Sequence, residues 1–202
     1  MTDPRHPRRS LWLVAQDFIH VLFGLFATPE IIAARGAYLR KDWALLARWL
    51  RAGEALMRQL LAVEAAALPK PSMLVAPRPK RARLRRVMHF AADAPETWRV
   101  SFRCVVGPRA VGAWRGVRRV GPRPDGRFRN AWPLAERAEA LLRVFNDPAP
   151  YAARLARRLH ARPDCARAML WHAPDLPPLV GAAGFAKAHD AALAAVAAFN
   201  TG

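Results

Sequence analysis

Residues 98–106 read Trp98-Arg99-Val100-Ser101-Phe102-Arg103-Cys104-Val105-Val106, and their alternation decides the fold class. Trp98, Val100, Phe102, Cys104 and Val106 fall on one side of an extended chain, and Arg99, Ser101 and Arg103 on the other. One buried face and one basic, wet face are the mark of an antiparallel sheet. Upstream, Val87 to Phe90 is expected to pair with this strand across the turn Asp93-Ala94-Pro95-Glu96. Downstream, short strands are expected at Trp114 to Val120 and Arg127 to Trp132, joined by Pro122-Arg123-Pro124-Asp125-Gly126, whose Asp-Gly is a turn signal.

On both sides of this sheet the periodicity changes to that of helices. Pro133 to Asn146 carries Leu134, Leu141, Leu142 and Phe145. Asp147-Pro148 then starts a helix through Tyr151, Leu155 and Leu159. A short helix is expected at Asp164 to Trp171, and an Ala-rich one at Phe185 to Asn200. Before the sheet, Pro69, Pro71, Pro77 and Pro79 stop regular structure, so residues 69–83 read as a Pro/Arg-rich linker. Ahead of the linker, Thr28-Pro29-Glu30 offers a cap, a first-position proline and an acid at the positive end of the dipole. A helix from there to about Leu68 repeats Ile32, Leu39, Leu46 and Leu60 at sevens, with Trp43, Leu50 and Met57 filling the seam and Arg40, Lys41, Arg48, Arg51 and Arg58 pointing elsewhere. Gly36 and Gly53 interrupt that seam. The helix is expected to fold back on an earlier one, Leu11 to Phe26, or to meet the same helix of a second copy. The resulting class is α+β: a helical hairpin (1–68), the linker (69–83), and a domain (84–202) in which a C-terminal helical layer covers a small basic antiparallel sheet.

Leu11 to Phe26 follows Arg8-Arg9 and loosely resembles an export signal, but Gln16, Asp17 and His20 interrupt it and no A-x-A site follows. It is also shorter than the roughly 20 residues of a bilayer span. It therefore reads as a helix mostly buried in protein, with Asp17, His20 and Gly24 on one stripe, and no membrane partner is expected. Cys104 and Cys165 belong to no CxxC pair, so a disulfide framework is not indicated and the cytoplasm is the default compartment.

Charge supplies the functional expectation. Of 33 basic residues 15 lie between Arg78 and Arg129, with only three of the 15 acidic ones, and that stretch is net +12 within a chain of net +18. Because 29 of the 33 are Arg, the preference for Arg over Lys is what a GC-rich genome produces. The sign of the charge survives that objection, and a field of this size attracts polyanions. The candidate nucleic-acid-binding residues are Arg78, Lys80, Arg81, Arg83, Arg85, Arg86, Arg99, Arg103, Arg115, Arg118, Arg119, Arg127 and Arg129. Aromatic residues interleave with them at Trp98-Arg99, Phe102-Arg103, Trp114-Arg115 and Arg127-Phe128-Arg129, a mixture that stacks bases only if both types share an exposed face. Strand alternation makes Trp98 and Phe102 core instead, leaving arginines to touch phosphates. A solvated connector is the bland reading of the run Arg78 to Arg86.

Chemistry is less well signalled. His160, Cys165 and His172 lack a tetrahedral ligand pattern, so no metal is expected. Asp17 with His20, and His189 with Asp190, lack the companions that catalysis requires. Phosphate-loop, dinucleotide-binding, nucleophile-elbow and zinc-protease motifs are missing, and no cofactor is expected. The first expectation is a non-enzymatic protein that binds nucleic acid or another polyanion without sequence preference. A protein-interaction or regulatory factor using residues 28–68 for a partner or for self-association comes second, and an unrecognised enzyme third.

Overall fold

The computed structural model describes residues 6–70, 93–98, 100–104, 126–162, 177 and 181–200. The described elements are α1 (His6–Phe26), α2 (Pro29–Ala34), β1 (Ala37–Leu39), α3 (Arg40–Ala66), a 3-10 turn (Pro95–Thr97), β2 (Phe128–Asn130), α4 (Trp132–Asn146), α5 (Ala149–Ala161) and α6 (Ala182–Asn200). The α+β class holds, with a two-stranded antiparallel sheet beside a helical body.

α1 buries Leu11, Ala15, Phe18 and Leu22, spaced four, three and four residues apart on one face. It ends at Ala27, whose φ of 70° is left-handed and whose N–H reaches back 3.0 Å to the Phe23 carbonyl. Thr28 then turns extended, with Pro29 opening α2 as expected. Its hydroxyl donates to Glu30 Oε1 at 2.6 Å instead of capping a backbone amide. The expectation of a largely buried α1 needs correction. Asp17, His20 and Gly24 do share a stripe, but it faces out together with Leu13, Val21 and Leu25. Ser10–Ala34 is long and apolar enough to cross a membrane by length and composition, although the break at Ala27-Thr28-Pro29 divides that stretch between two helices.

The single long helix expected over residues 28–68 is also corrected. Gly36 adopts a φ of 67°, open to glycine at no steric cost, and ends α2. The chain runs extended through β1 before α3 begins. Ile32 and Leu39 therefore leave the heptad seam for α2 and β1. Leu46, Leu50, Met57 and Leu60 stay on α3 and are fully buried within the chain.

α1 and α3 form the expected antiparallel hairpin. Trp12 Nε1 donates to Glu64 Oε1 at 3.0 Å near one end, and the Phe26 ring lies 6.0 Å from that of Trp49 near the other. Between them Gly53 lets the helices close: a Cβ there would stand 2.5 Å from Phe18 Cε1 and 3.1 Å from Leu141 Cδ2. α3 is apolar around too much of its circumference for α1 alone to cover. It packs on α4, α5 and α6 as well, so Leu134, Leu141, Leu155, Leu159 and Phe185 join the core that Leu46 to Ala65 build. The described core thus draws on helices from both sides of residues 69–83.

The strand expected at Trp98 to Val106 is the third correction. Among its described residues, Trp98 and 100–104, none is in a sheet. Its alternation is nevertheless real: Trp98 is buried, Val100, Phe102 and Cys104 are half-buried against the core, and Ser101 and Arg103 are exposed. The segment is a strap laid over helices, with Trp98 4.6 Å from the Trp132 ring of α4 and Phe102 edge-on to Tyr151 of α5. Alternation reports which side of a chain is covered, and helices cover this one. The C-terminal helices fall where expected. Residues 87–90, 114–120 and 164–171 lie outside the described residues.

Candidate nucleic-acid interface

The sheet places a cluster of cations. β1 and β2 pair with Ala37 opposite Asn130, Tyr38 opposite Arg129 and Leu39 opposite Phe128. Hydrogen bonds extend the pairing at both ends, from Arg40 N to the Arg127 carbonyl at 3.0 Å and from Ala131 N to the Gly36 carbonyl at 2.9 Å. Asn130 then anchors the ribbon to helices. Its carbonyl accepts from Trp43 Nε1 at 3.1 Å, and its side-chain oxygen accepts from Trp132 N at 2.8 Å, the opening amide of α4.

Period-two alternation gives the ribbon two faces. Tyr38 and Arg129 share the inner one, where Tyr38 is 8% exposed, the Arg35 guanidinium lies 5.6 Å from its ring, and that of Arg129 lies 5.4 Å from the Trp43 ring. These are cation–π distances. The Tyr38 hydroxyl is buried without a hydrogen-bond partner among the described residues. On the outer face Leu39 and Phe128 stand opposite each other, 39% and 43% exposed. Arg35, Arg40, Lys41, Arg127 and Arg129 are all exposed on or beside the ribbon, Arg35 and Arg129 toward its inner face, and the one carboxylate in this stretch of α3, Asp42, is half-buried. The positive surface continues along α3 to the exposed Arg51, about 15 Å from Lys41 at the helical rise.

Of the candidate residues read from charge density, Arg103, Arg127 and Arg129 are described, and all three are exposed. The structure brings together Arg129 on β2 and Arg127, in the turn just before it, and places Arg103 apart, on the strap. Arg78, Lys80, Arg81, Arg83, Arg85, Arg86, Arg99, Arg115, Arg118 and Arg119 lie outside the described residues. Arg35, Arg40 and Lys41 were missed as partners of β2, because a continuous helix would have put them on another surface. The signal for them was Gly36, a helix-stop residue one position after Arg35. Of the aromatic–basic pairings whose rings are described, Phe128 is exposed, while Trp98 and Phe102 face the core as alternation required; Trp114 lies outside the described residues.

Other arginines have structural work. Arg137 Nε donates to Glu54 Oε1 at 2.6 Å, joining α4 to α3. Arg143 Nε donates to Glu139 Oε1 at 2.6 Å, while its Nη2 donates to the carbonyls of Pro95 and Glu96 at 2.7 and 3.2 Å, closing the 3-10 turn. Burial pushes the Cys104 thiol up, against the opposing pull of Arg154, Arg58 and Arg158, and so favours the neutral thiol over the nucleophilic thiolate. Burial likewise lowers Arg58, which Glu54 counteracts.

No group of three or more metal-ligating side chains occurs among the described residues. His160 is edge-on to Phe199 at 4.9 Å, with Cys165 and His172 outside the described residues. Asp17 and His20 are exposed, and His189 Nδ1 lies 3.1 Å from Gln59 Nε2 in the packing of α3 on α6. No family model matches the chain, and no curated protein or solved structure matches it.

Proposed function

We propose that this chain is a non-enzymatic polyanion-binding protein, that its polyanion is nucleic acid, and that it binds without sequence preference. The observation that carries the reading is the convergence of Arg35, Arg40, Lys41, Arg127 and Arg129 around one exposed two-stranded ribbon, with Asp42 half-buried beside them. Five cations in one place are what a phosphate backbone selects, since each neutralised phosphate releases condensed counterions. The net +18 of the whole chain adds long-range attraction of the same sign. Lack of sequence preference follows because short strands ending in arginines touch phosphates without entering a groove in a fixed register. The compartment in this reading is the cytoplasm, and no lipid partner is invoked.

The test is the salt dependence of binding to a 20-base-pair duplex of arbitrary sequence. Engagement of about five phosphates gives an affinity that falls by roughly a hundred- to a thousandfold between 50 and 200 mM salt. Arg127→Glu with Arg129→Glu should weaken binding sharply and equally on unrelated sequences. Full affinity in that double variant, or no binding by the wild type at 50 mM salt, overturns the reading.

A further inference from the structure

The ribbon carries an outer face that phosphate contacts alone leave unexplained. Phe128 and Leu39 stand directly opposite each other there, 43% and 39% exposed. A duplex offers a phosphate contour, with its base faces stacked inside. A single strand offers both phosphates and the faces of unstacked bases, and proteins that hold single strands pair a positive groove with an aromatic platform. Among the described residues β2 pairs only with β1. The two strands stand about 5 Å apart. Alternation turns Phe128 outward and Arg129 the other way, with Arg127 in the turn just before the strand, but all three are consecutive neighbours at an edge that no described strand covers. Arg40 and Lys41 open α3 immediately after Leu39, so cations border the apolar pair on the β1 side also.

Resting on the polyanion reading above, we infer that the ribbon is a site for single-stranded nucleic acid, with a base stacked on the Phe128 ring beside Leu39 and the flanking phosphates held by Arg40, Lys41, Arg127 and Arg129. The chemistry is shared by DNA and RNA, since every base has a π-face and the 2′-hydroxyl is not called upon.

The experiment uses the full chain and fluorescence anisotropy at fixed salt with three probes: a 15-nucleotide oligo(dT), a 15-nucleotide oligo(U) and a 15-base-pair duplex. Phe128→Leu keeps an apolar side chain at an exposed position and removes the ring, whereas Phe128→Tyr keeps the ring. The leucine variant should bind both single strands roughly 5- to 100-fold more weakly, the span that one base–aromatic stack supplies, with duplex binding within about twofold of wild type. The tyrosine variant should match wild type on all three probes. Equal weakening on single strand and duplex, or unchanged single-strand binding in Phe128→Leu, overturns this inference and leaves the polyanion reading standing. Failure of the wild type to bind any probe overturns both. Near-UV circular dichroism confirms that each variant is folded.

Discussion

The arginines of α4 and those at β2 show two uses of one side chain. Arg137 and Arg143 are half-buried and engage Glu54, Glu139 and the carbonyls of Pro95 and Glu96 at 2.6 to 3.2 Å. Arg129 of β2 and Arg127 just before it are exposed, and Arg129 lies against the Trp43 ring. The first pair closes gaps between helices and leaves little positive charge for a ligand. The second pair contributes little to folding and presents its charge to solvent. Net charge in the sequence cannot distinguish the two, so the functional reading rests on the ribbon.

The most drastic way to break this contrast is to remove residues 1–68, which takes away β1 and α3 together. Because α3 packs on α4, α5 and α6 in one continuous core, the remaining chain should lose its near-UV dichroism and its cooperative thermal transition. A fragment that melts cooperatively would show that the C-terminal helices hold a core of their own. Residues 69–83 would then mark a domain boundary, and the arginines of α4 would be needed within one half only.

A smaller effect comes from single arginines. Arg137→Ala leaves the half-buried Glu54 carboxylate with Arg58 as its remaining cation, and should cost about 1 to 2 kcal/mol in urea denaturation. Arg127→Ala should change stability by about 0.5 kcal/mol or less while weakening nucleic-acid binding. The contrast fails if the two substitutions destabilise the chain equally.

The same division explains what could be read from the sequence. The helices were legible because each repeats apolar residues at helical spacing over several turns, as Leu46, Leu50, Met57 and Leu60 do. Of the antiparallel sheet, the strand expected at Arg127 to Trp132 is present as β2, but its partner β1 was not expected. Ala37 to Leu39 is too short to show a period and pairs with Phe128 to Asn130 far away along the chain, so only Gly36 advertised the break. At Trp98 to Cys104 burial was read correctly and the covering partner was not, since helices and strands produce the same alternation in the segment they cover. Within the candidate interface, charge density found Arg127 and Arg129. Arg35, Arg40 and Lys41 could join them only once the helix was known to stop.

The finest test bears on how well the ribbon itself is satisfied. Trp12 and Arg137 meet polar partners, whereas the Tyr38 hydroxyl, like Gln59 Oε1 of α3, is buried without one among the described residues. Burying a hydroxyl unpaired costs about 1 to 3 kcal/mol, and replacing it by hydrogen removes that cost. Tyr38→Phe keeps the ring beneath the Arg35 guanidinium, so stability in urea should stay unchanged or rise by up to about 1 kcal/mol. A loss of more than about 0.5 kcal/mol would mean that the hydroxyl has a partner in solution and that the ribbon is tied down as firmly as the helices. A gain in stability with single-strand binding preserved would place the Tyr38 hydroxyl outside the interface. Binding would then depend on the outer face of Leu39 and Phe128 and on the arginines at its edge.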